Sequence, residues 1–284
     1  MIDEILDILK GDRRILLGST IICTIFLVAV FAPLIAPHDP LAQNLERRLS
    51  PPSSEYPMGA DNLGRCVFSR VVYGARLSLP IGMAITGTAL VIGALIGAIS
   101  GFLGGRCDEF VMRIVDVLLA FPGLILALVI IAVMGPGILN ASFALVAVGW
   151  TGFARMVRAS TLAIRDAGFM EGAKALGASD FYIIRRHLLP NVIAPVLPMA
   201  FLGAGYSILA LAGLSFLGLG VRPPTPEWGL MLSDGRLFMR SAPHLMIFPG
   251  IALSMTILAF NLAGDGIRYA LDTKSRMTDE ALWR

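Results

Sequence analysis

A polar segment between two long apolar runs, residues 155–190, holds the side chains best placed to act on another molecule. Its first part, Gly168–Leu176, is predicted to form a short helix. Apolar side chains spaced by four and three residues share one face of that helix: Phe169, Ala173 and Leu176. Gly177 follows and is expected to end the helix, because glycine readily adopts backbone angles that a helix does not continue.

A second short helix is predicted after Gly177. Ser179 is a suitable N-cap, and Asp180 suits the positive first turn of a helix. Basic side chains suit its negative last turn: Arg185, Arg186 and His187. Pro190 is expected to end the segment. Two short helices with an apolar face favour docking onto another protein, and an amphipathic helix lying on the inner lipid surface is the alternative.

Side-chain patterns for catalysis, metal binding or nucleotide binding are absent from the sequence. The apolar runs contain no paired acids, no Ser-His pair and no His-x-x-x-His motif, one of which an intramembrane enzyme needs. The chain also has no Gly-x-x-x-x-Gly-Lys-Ser/Thr loop to hold phosphates. We therefore expect no catalytic residue, no metal site and no cofactor bound by this chain.

The composition is that of a membrane protein. Of 284 residues, 56% are hydrophobic and 15% are charged, whereas about 25% are charged in soluble domains. This excludes a soluble enzyme, a disordered tail and a secreted disulfide scaffold. The long apolar runs exclude an outer-membrane barrel, whose strands alternate in polarity. The net charge of +3 gives no reason to expect nucleic acid as a partner. The predicted fold class is all-α, a polytopic membrane protein.

Six membrane helices are predicted from the uncharged runs, since a helix needs about 20 residues to cross the hydrocarbon layer. The run 117–154 is uncharged over 38 positions, or about 57 Å of helix, so it must fold back. The reversal is expected at Gly135-Pro136-Gly137, which gives a third and a fourth span. The other spans are placed at 15–36, 77–105, 188–221 and 242–264, the fifth starting after Pro190. A cleaved signal peptide is the alternative for the first span, although its apolar run exceeds a signal core.

Both termini are predicted to face the cytoplasm. In this orientation 15 of the 23 cations lie in inner segments and eight in outer ones, as the positive-inside rule requires. The three cysteines then lie at different depths, so no disulfide is expected. The chain divides into residues 1–76 with the first span and an outer loop, a five-helix core 77–272 that contains the loop 155–190, and a cytoplasmic tail 273–284.

Glycines and prolines in the spans indicate where helices approach or bend. In the second span, glycines permit close helix packing, although membrane helices are rich in glycine in any case: Gly82, Gly87, Gly93, Gly97 and Gly101. In the fifth span, prolines and glycines loosen the helix. Residues near them are candidates for a gate or pore lining, although ordinary packing accounts for them equally well: Met199, Gly203 and Tyr206.

The stiff, proline-rich outer loop 222–228 provides a ledge for a partner protein, although a simple cap over the pore needs the same features. Residues proposed for contact with a partner at the outer surface are Asp61, Arg65, Arg70, Glu227 and Trp228.

Four stretches resemble, in order, the motifs of one membrane protein family. The spacing from Glu171 to Gly177 and on to Pro190 resembles the EAA motif of permease subunits in binding-protein-dependent ABC importers. The other three resemble segments of the dipeptide, oligopeptide and nickel permeases: Met58–Ser78, Ser215–Gly229 and Phe260–Arg268. The resemblance extends from Ile15 to Asp272 and is closest to the second, C-type permease of such a pair.

This resemblance implies a type I ABC importer permease fold in a bacterial or archaeal inner membrane. The expected partners are a homologous permease, two cytoplasmic ATPase subunits that hold ATP and Mg, and an external substrate-binding protein that contacts the outer residues, with membrane lipid around them. ATP hydrolysis is expected in the partner subunits only. The coupling helix that inserts into an ATPase subunit comprises, by resemblance, Phe169, Glu171, Gly172, Ala173, Leu176 and Gly177.

Two departures from the family pattern concern this chain's own chemistry. Gly172 replaces the usual second alanine, which costs the first short helix about 1 kcal/mol. Cys66 replaces an acid, and its thiol is either reactive or incidental. The resemblance leaves the cargo open: peptides are favoured, and nickel, a nickel chelate and glutathione are alternatives. A structural membrane subunit without transport is the more distant alternative.

Overall fold

The computed structural model describes residues 12–282, with side chains over residues 12–271. Most of the predicted cytoplasmic N-terminus, residues 1–11, and the side chains of the predicted tail lie outside the described residues. The helices are α1 (Arg13–Val30), α2 (Ala32–Ile35), α3 (Val67–Leu103), α4 (Gly105–Leu119), α5 (Gly123–Met134), α6 (Ile138–Ile164), α7 (Gly168–Ala175), α8 (Asp180–Phe216), α9 (Trp228–Gly235) and α10 (His244–Leu282).

The described chain is helical, as predicted, apart from an isolated β-bridge between Ala60 and Cys66. Cys66 is buried at this bridge, so its thiol is not exposed for reaction. Five helices are long and apolar enough to cross a membrane: α1, α3, α6, α8 and α10. The predicted reversal is confirmed between α5 and α6, where Gly135 and Gly137 have φ of 85° and 154°.

The third predicted span is not a straight helix. It corresponds to the bent pair α4 and α5, whose axes differ by 89°. The break falls at Pro122, because proline disfavours helical angles in the residue before it. With 12 residues, α5 is about 18 Å long, which is shorter than the hydrocarbon layer. The described chain therefore has a sixth span only if α4 and α5 are counted together as one. The charged residues of α4 lie outside the apolar run.

The fifth span was expected to start after Pro190, but α8 is helical from Asp180 onward. A π turn at Ile184–Leu188 and a 3₁₀ turn at Ala194–Val196 accommodate the prolines within it. The Asn191 side-chain amide donates to the His187 carbonyl at 2.6 Å, which supplies a donor next to the proline. The predicted second cytoplasmic helix and the fifth span are thus one continuous helix.

The backbones of α3 and α6 lie in close contact. This is the most extensive contact between two helices in the described chain. A Cβ placed at Gly93 would lie 2.5 Å from the Trp150 carbonyl oxygen, and one at Gly97 would lie 2.3 Å from the Ala154 carbonyl oxygen. The predicted close approach is confirmed at these two glycines. It is wrong at Gly87, where a Cβ would meet no atom within 4 Å.

Because α3 and α6 are in close contact, substitutions at two glycines of α3 are expected to differ strongly in their effect on stability. Gly97→Leu is expected to lower the thermal unfolding midpoint of the purified protein in detergent by several degrees, because overpacking costs about 1–3 kcal/mol. Gly87→Leu is the matched control and is expected to leave the midpoint nearly unchanged. Intrinsic tryptophan fluorescence measures both midpoints. Equal shifts for the two variants would show that this contact is not tight.

Candidate functional site

The first predicted short helix, Gly168–Leu176, is present as α7 and ends one residue early. Two of the three residues of its predicted apolar face stay on the surface, as docking requires, whereas Ala173 turns inward. Met170 is fully buried, whereas Phe169 is 48% exposed and Leu176 is 91% exposed. Ala173 packs partly against the same buried cluster as Met170. The inward face is therefore formed by Met170 and Ala173, three residues apart, and Phe169 and Leu176 stay on the surface.

Met170 packs α7 into a cluster shared with the C-terminal halves of α3 and α6. It belongs to a buried cluster that includes Ala98 of α3, Val157 of α6 and Ile183 of α8. Burial of a methionine side chain contributes about 1.5–3 kcal/mol. Beside this cluster, the Lys174 ammonium lies 4.9 Å from the centre of the ring of Phe102 in α3, a cation–π contact. These contacts fix α7 to α3 and α6.

Gly177 is the hinge between α7 and α8. Its φ is +82°, a left-handed angle that favours glycine, and its N–H donates to the Lys174 carbonyl at 2.9 Å. The predicted end of the first short helix is therefore confirmed. Ser179 caps α8 as predicted, since its hydroxyl accepts the N–H of Tyr182 at 3.3 Å.

An exposed apolar surface surrounds this hinge. Its side chains, defined together as the docking surface, are Phe169, Leu176, Phe181 and Tyr182. Phe181 is 73% exposed. Glu171, Gly172 and Gly177 are exposed as well, and a Cβ at either glycine would meet no atom within 4 Å. Exposed apolar side chains grouped around one turn are typical of a surface that binds another molecule.

Ion pairs that the sequence analysis did not anticipate clamp α4 to α6. Arg158 contacts Asp108 through two bonds, Nε to Oδ1 at 2.5 Å and Nη2 to Oδ2 at 2.6 Å. The Ser100 hydroxyl donates to the same carboxylate at 2.5 Å, and Arg155 pairs with Asp116 nearby. The signal in the sequence is the helical spacing of the two acids and of the two arginines.

The charged residues proposed for the outer contact surface are buried instead: Asp61, Arg65 and Arg70. Arg65 Nε lies 2.6 Å from Asp61 Oδ2, and Arg70 Nε lies 3.5 Å from the same oxygen. Arg70 also donates to the carbonyl oxygens of Pro40 at 3.2 Å and Pro224 at 3.4 Å. The prediction of direct contact with a partner is wrong for these three residues. Paired charges can stay buried, and here they hold the two outer loops together.

Glu227 and Trp228 are buried in the same outer region, so their predicted contact with a partner is also wrong. The Glu227 carboxylate accepts the N–H groups of Gly229 and Leu230, each at 2.9 Å, and caps α9. Burial raises the pKa of Glu227, and these two donors oppose the rise. The Trp228 indole donates to the carbonyl of Val71 in α3 at 3.0 Å. Both side chains fasten the outer loop to the spans.

The three gate candidates on α8 lie in different surroundings. Tyr206 is 58% exposed, and Met199 lines a cavity of about 610 Å³ near the inner part of α8. Gly203 is packed, since a Cβ there would lie 3.2 Å from Thr86 Cγ2 and 3.3 Å from Phe153 Cζ. Helix packing, the alternative given for Gly203, therefore accounts for this residue, and its role in a gate stays a prediction. Met199 and Tyr206, seven residues apart, share one face of α8.

Two family models match the chain. Residues 93–277 match the binding-protein-dependent transport system inner membrane component, and residues 2–52 match the N-terminal transmembrane domain of oligopeptide transport permease C. The chain is 44% identical to the dipeptide transport system permease protein DppC of Alkalihalophilus pseudofirmus, over 94% of this chain and 88% of the relative. It is 42% identical to the glutathione transport system permease protein GsiD of Pectobacterium atrosepticum, over 87% and 82% of the two chains.

The GsiD protein of Escherichia coli is 43% identical, over 93% of this chain and 88% of the relative. Among solved structures, the inward-facing MetNI methionine ABC transporter aligns with a TM-score of 0.56 and 21% identity, covering 71% of this chain and 96% of that one. This alignment confirms the predicted type I importer fold. The resemblance drawn from the motifs is confirmed as well: the chain belongs to the binding-protein-dependent transport system inner membrane component family, and it is a C-type permease subunit of an ABC importer, a multi-pass protein of the inner membrane.

Proposed function

We propose that this permease carries small peptides, which an external binding protein delivers to its outer side. The relatives described above are named for dipeptide and glutathione transport, and glutathione is itself a tripeptide. A short peptide is therefore the cargo class that these relatives have in common. Dipeptides are the first candidate, and glutathione is the second.

The proposed assembly contains a homologous permease, which completes the pathway, and two ATPase subunits, which hold ATP and Mg. The observation that carries this proposal is the docking surface. Four large apolar side chains lie exposed around one hinge, on α7, at its C-cap and in the first turn of α8, beside the inner ends of α3 and α6. An ATPase subunit that covers them would remove apolar surface from water, which favours binding. Both termini and the docking surface are proposed to face the cytoplasm.

The contacts behind the docking surface provide a route for transmission. Met170 and Lys174 tie α7 to α3 and α6, so a displaced α7 would move the inner ends of both spans. The Asp108–Arg158 bridge would carry α4 along with α6. Closure of the two ATPase subunits on ATP would then bias the permease between an inward-facing and an outward-facing state, as a ligand biases a two-state element.

The cargo is tested by ATP hydrolysis of the complete importer in lipid nanodiscs. Binding protein loaded with a dipeptide or with glutathione is expected to stimulate hydrolysis over unloaded binding protein, and nickel is expected to have no effect. Stimulation by nickel alone would contradict the peptide proposal. Absence of any copurifying ATPase would contradict the importer assembly.

Removal of the docking surface is expected to uncouple the importer. The double variant Phe169→Ala, Leu176→Ala should reduce peptide-stimulated hydrolysis about tenfold or more, because large apolar anchors dominate binding energy at interfaces. Leu34→Ala is the matched control, since Leu34 is 82% exposed but follows the first span. Stimulated hydrolysis and the amount of ATPase subunit copurified are measured together. An unchanged double variant would count against docking through these side chains.

The hinge angle gives a separate prediction. Gly177→Pro is expected to abolish stimulated hydrolysis, because proline fixes φ near −65° and cannot adopt the +82° of this residue. Gly172→Ala is the control, since it lies in the same segment, has open space around its Cβ and improves helix propensity. We expect Gly172→Ala to keep full stimulation. Equal loss in both variants would show that the effect is not specific to the hinge.

The clamp between α4 and α6 is tested by charge reversal. Asp108→Arg is expected to lower peptide-stimulated hydrolysis, because it leaves the Arg158 guanidinium without its acid and opposite a like charge. The double variant Asp108→Arg, Arg158→Asp restores opposite charges and is expected to recover part of the stimulation. If peptide-stimulated hydrolysis is no higher in the double variant than in the single one, the bridge itself is not required.

A further inference from the structure

A cavity beside α8 combines apolar walls with one cation. It lies between α6, α8 and α10 and has a volume of about 610 Å³, within the range of about 300–1,000 Å³ typical of small-ligand pockets. Its walls are apolar and include Met156 of α6, Met199 and Leu202 of α8, whereas Arg268 of α10 supplies a cation.

Arg268 is the ionisable residue among those that line the cavity. Within residues 12–271, no carboxylate forms an ion pair with it, although Asp265 lies one turn earlier on the same helix. In contrast, Arg155 and Arg158 on the adjacent α6 are each paired with an acid. The exposed Arg268 side chain, which lines an apolar cavity and forms no ion pair within residues 12–271, favours an anionic ligand.

The helices α8 and α10 pack closely beside the cavity, at Gly264. A Cβ placed at Gly264, one turn before Arg268, would lie 3.1 Å from the Pro198 carbonyl oxygen and 3.2 Å from Leu202 Cγ. The helices α8 and α10 are therefore in direct contact there. A phospholipid also offers an anion, but its acyl chains need a groove that continues along the span. This contact interrupts such a groove, so a compact ligand fits the cavity better than a lipid.

We infer that this cavity binds a peptide cargo on the inner side of the permease, with Arg268 holding the carboxylate of the peptide. This inference rests on the proposed function. A guanidinium binds a carboxylate through two parallel bonds, and the carboxylate is the group that linear peptides share. Methionine side chains adapt to different shapes, so Met156 and Met199 suit peptide side chains that vary. One cation with adaptable walls accepts many peptides by their common end.

Cysteine protection in the complete importer tests this inference. Cys23 and Cys107, which are exposed, are replaced by serine, and Met199→Cys places a reporter in the cavity. In zwitterionic nanodiscs without ATP, alanyl-alanine is expected to slow maleimide labelling of the reporter about threefold or more, and alanyl-alanine amide is expected to have little effect, because it lacks the carboxylate. Arg268→Gln should abolish protection, and Arg268→Lys should retain part of it. Arg106→Gln, an exposed arginine outside the cavity, should keep it in full.

Equal protection by the acid and the amide, or protection that survives in Arg268→Gln, would overturn the role of Arg268. Protection by phosphatidylglycerol but not by alanyl-alanine would identify a lipid site and overturn the inference. Peptide-stimulated ATP hydrolysis, measured in the same sample, distinguishes failure of the cavity site from failure of the proposed function. Stimulation without protection overturns the cavity site alone, whereas absence of stimulation counts against peptide transport itself.

Discussion

The contact between α3 and α6 is the constraint on which the rest of this permease depends. At Gly93, Gly97 and Gly101 the two helices lie too close for any side chain between them. Lipid offers helices no hydrophobic drive to associate, so close packing of small residues must hold such a pair together. Because α3 leads into α4 and α6 leads into α7, the clamp and the docking surface are both positioned by this pair. A motion that starts at the docking surface, as proposed, would therefore reach the spans through packed backbone rather than through a flexible loop.

Charge and apolar surface are distributed differently at the two ends of the molecule. On the side proposed to be outer, Asp61, Arg65 and Arg70 are buried and paired, and together with Glu227 they fasten the loops over the spans. On the side proposed to be cytoplasmic, α7 and the start of α8 expose large apolar side chains. The outer cap is thus complete within the chain, whereas the inner surface lacks a partner within residues 12–271. This asymmetry is what a permease needs if force enters from the inner side.

The sequence alone predicts features whose causes are local. The reversal at Gly135–Gly137, the N-cap at Ser179 and the hinge at Gly177 each follow from the backbone preference of one residue, and the motifs identify the family. Features that depend on distant contacts were missed. Nothing near Arg70 in the sequence indicates that it reaches Pro224, and the burial of Met170 depends on how α7 lies on α3. The 89° bend was missed because a proline within an apolar run also fits a kinked span.

The most direct test of the account is the identity of the molecule that covers the docking surface. A photo-reactive phenylalanine analogue at position 176, introduced into the importer in intact membranes, reports what lies against that exposed side chain. The account predicts a crosslink to the ATPase subunit from position 176, and none from position 170, where the native side chain is buried within the chain. A crosslink from position 176 to lipid, with none to the ATPase subunit, would contradict the coupling role and support an amphipathic helix on the membrane surface.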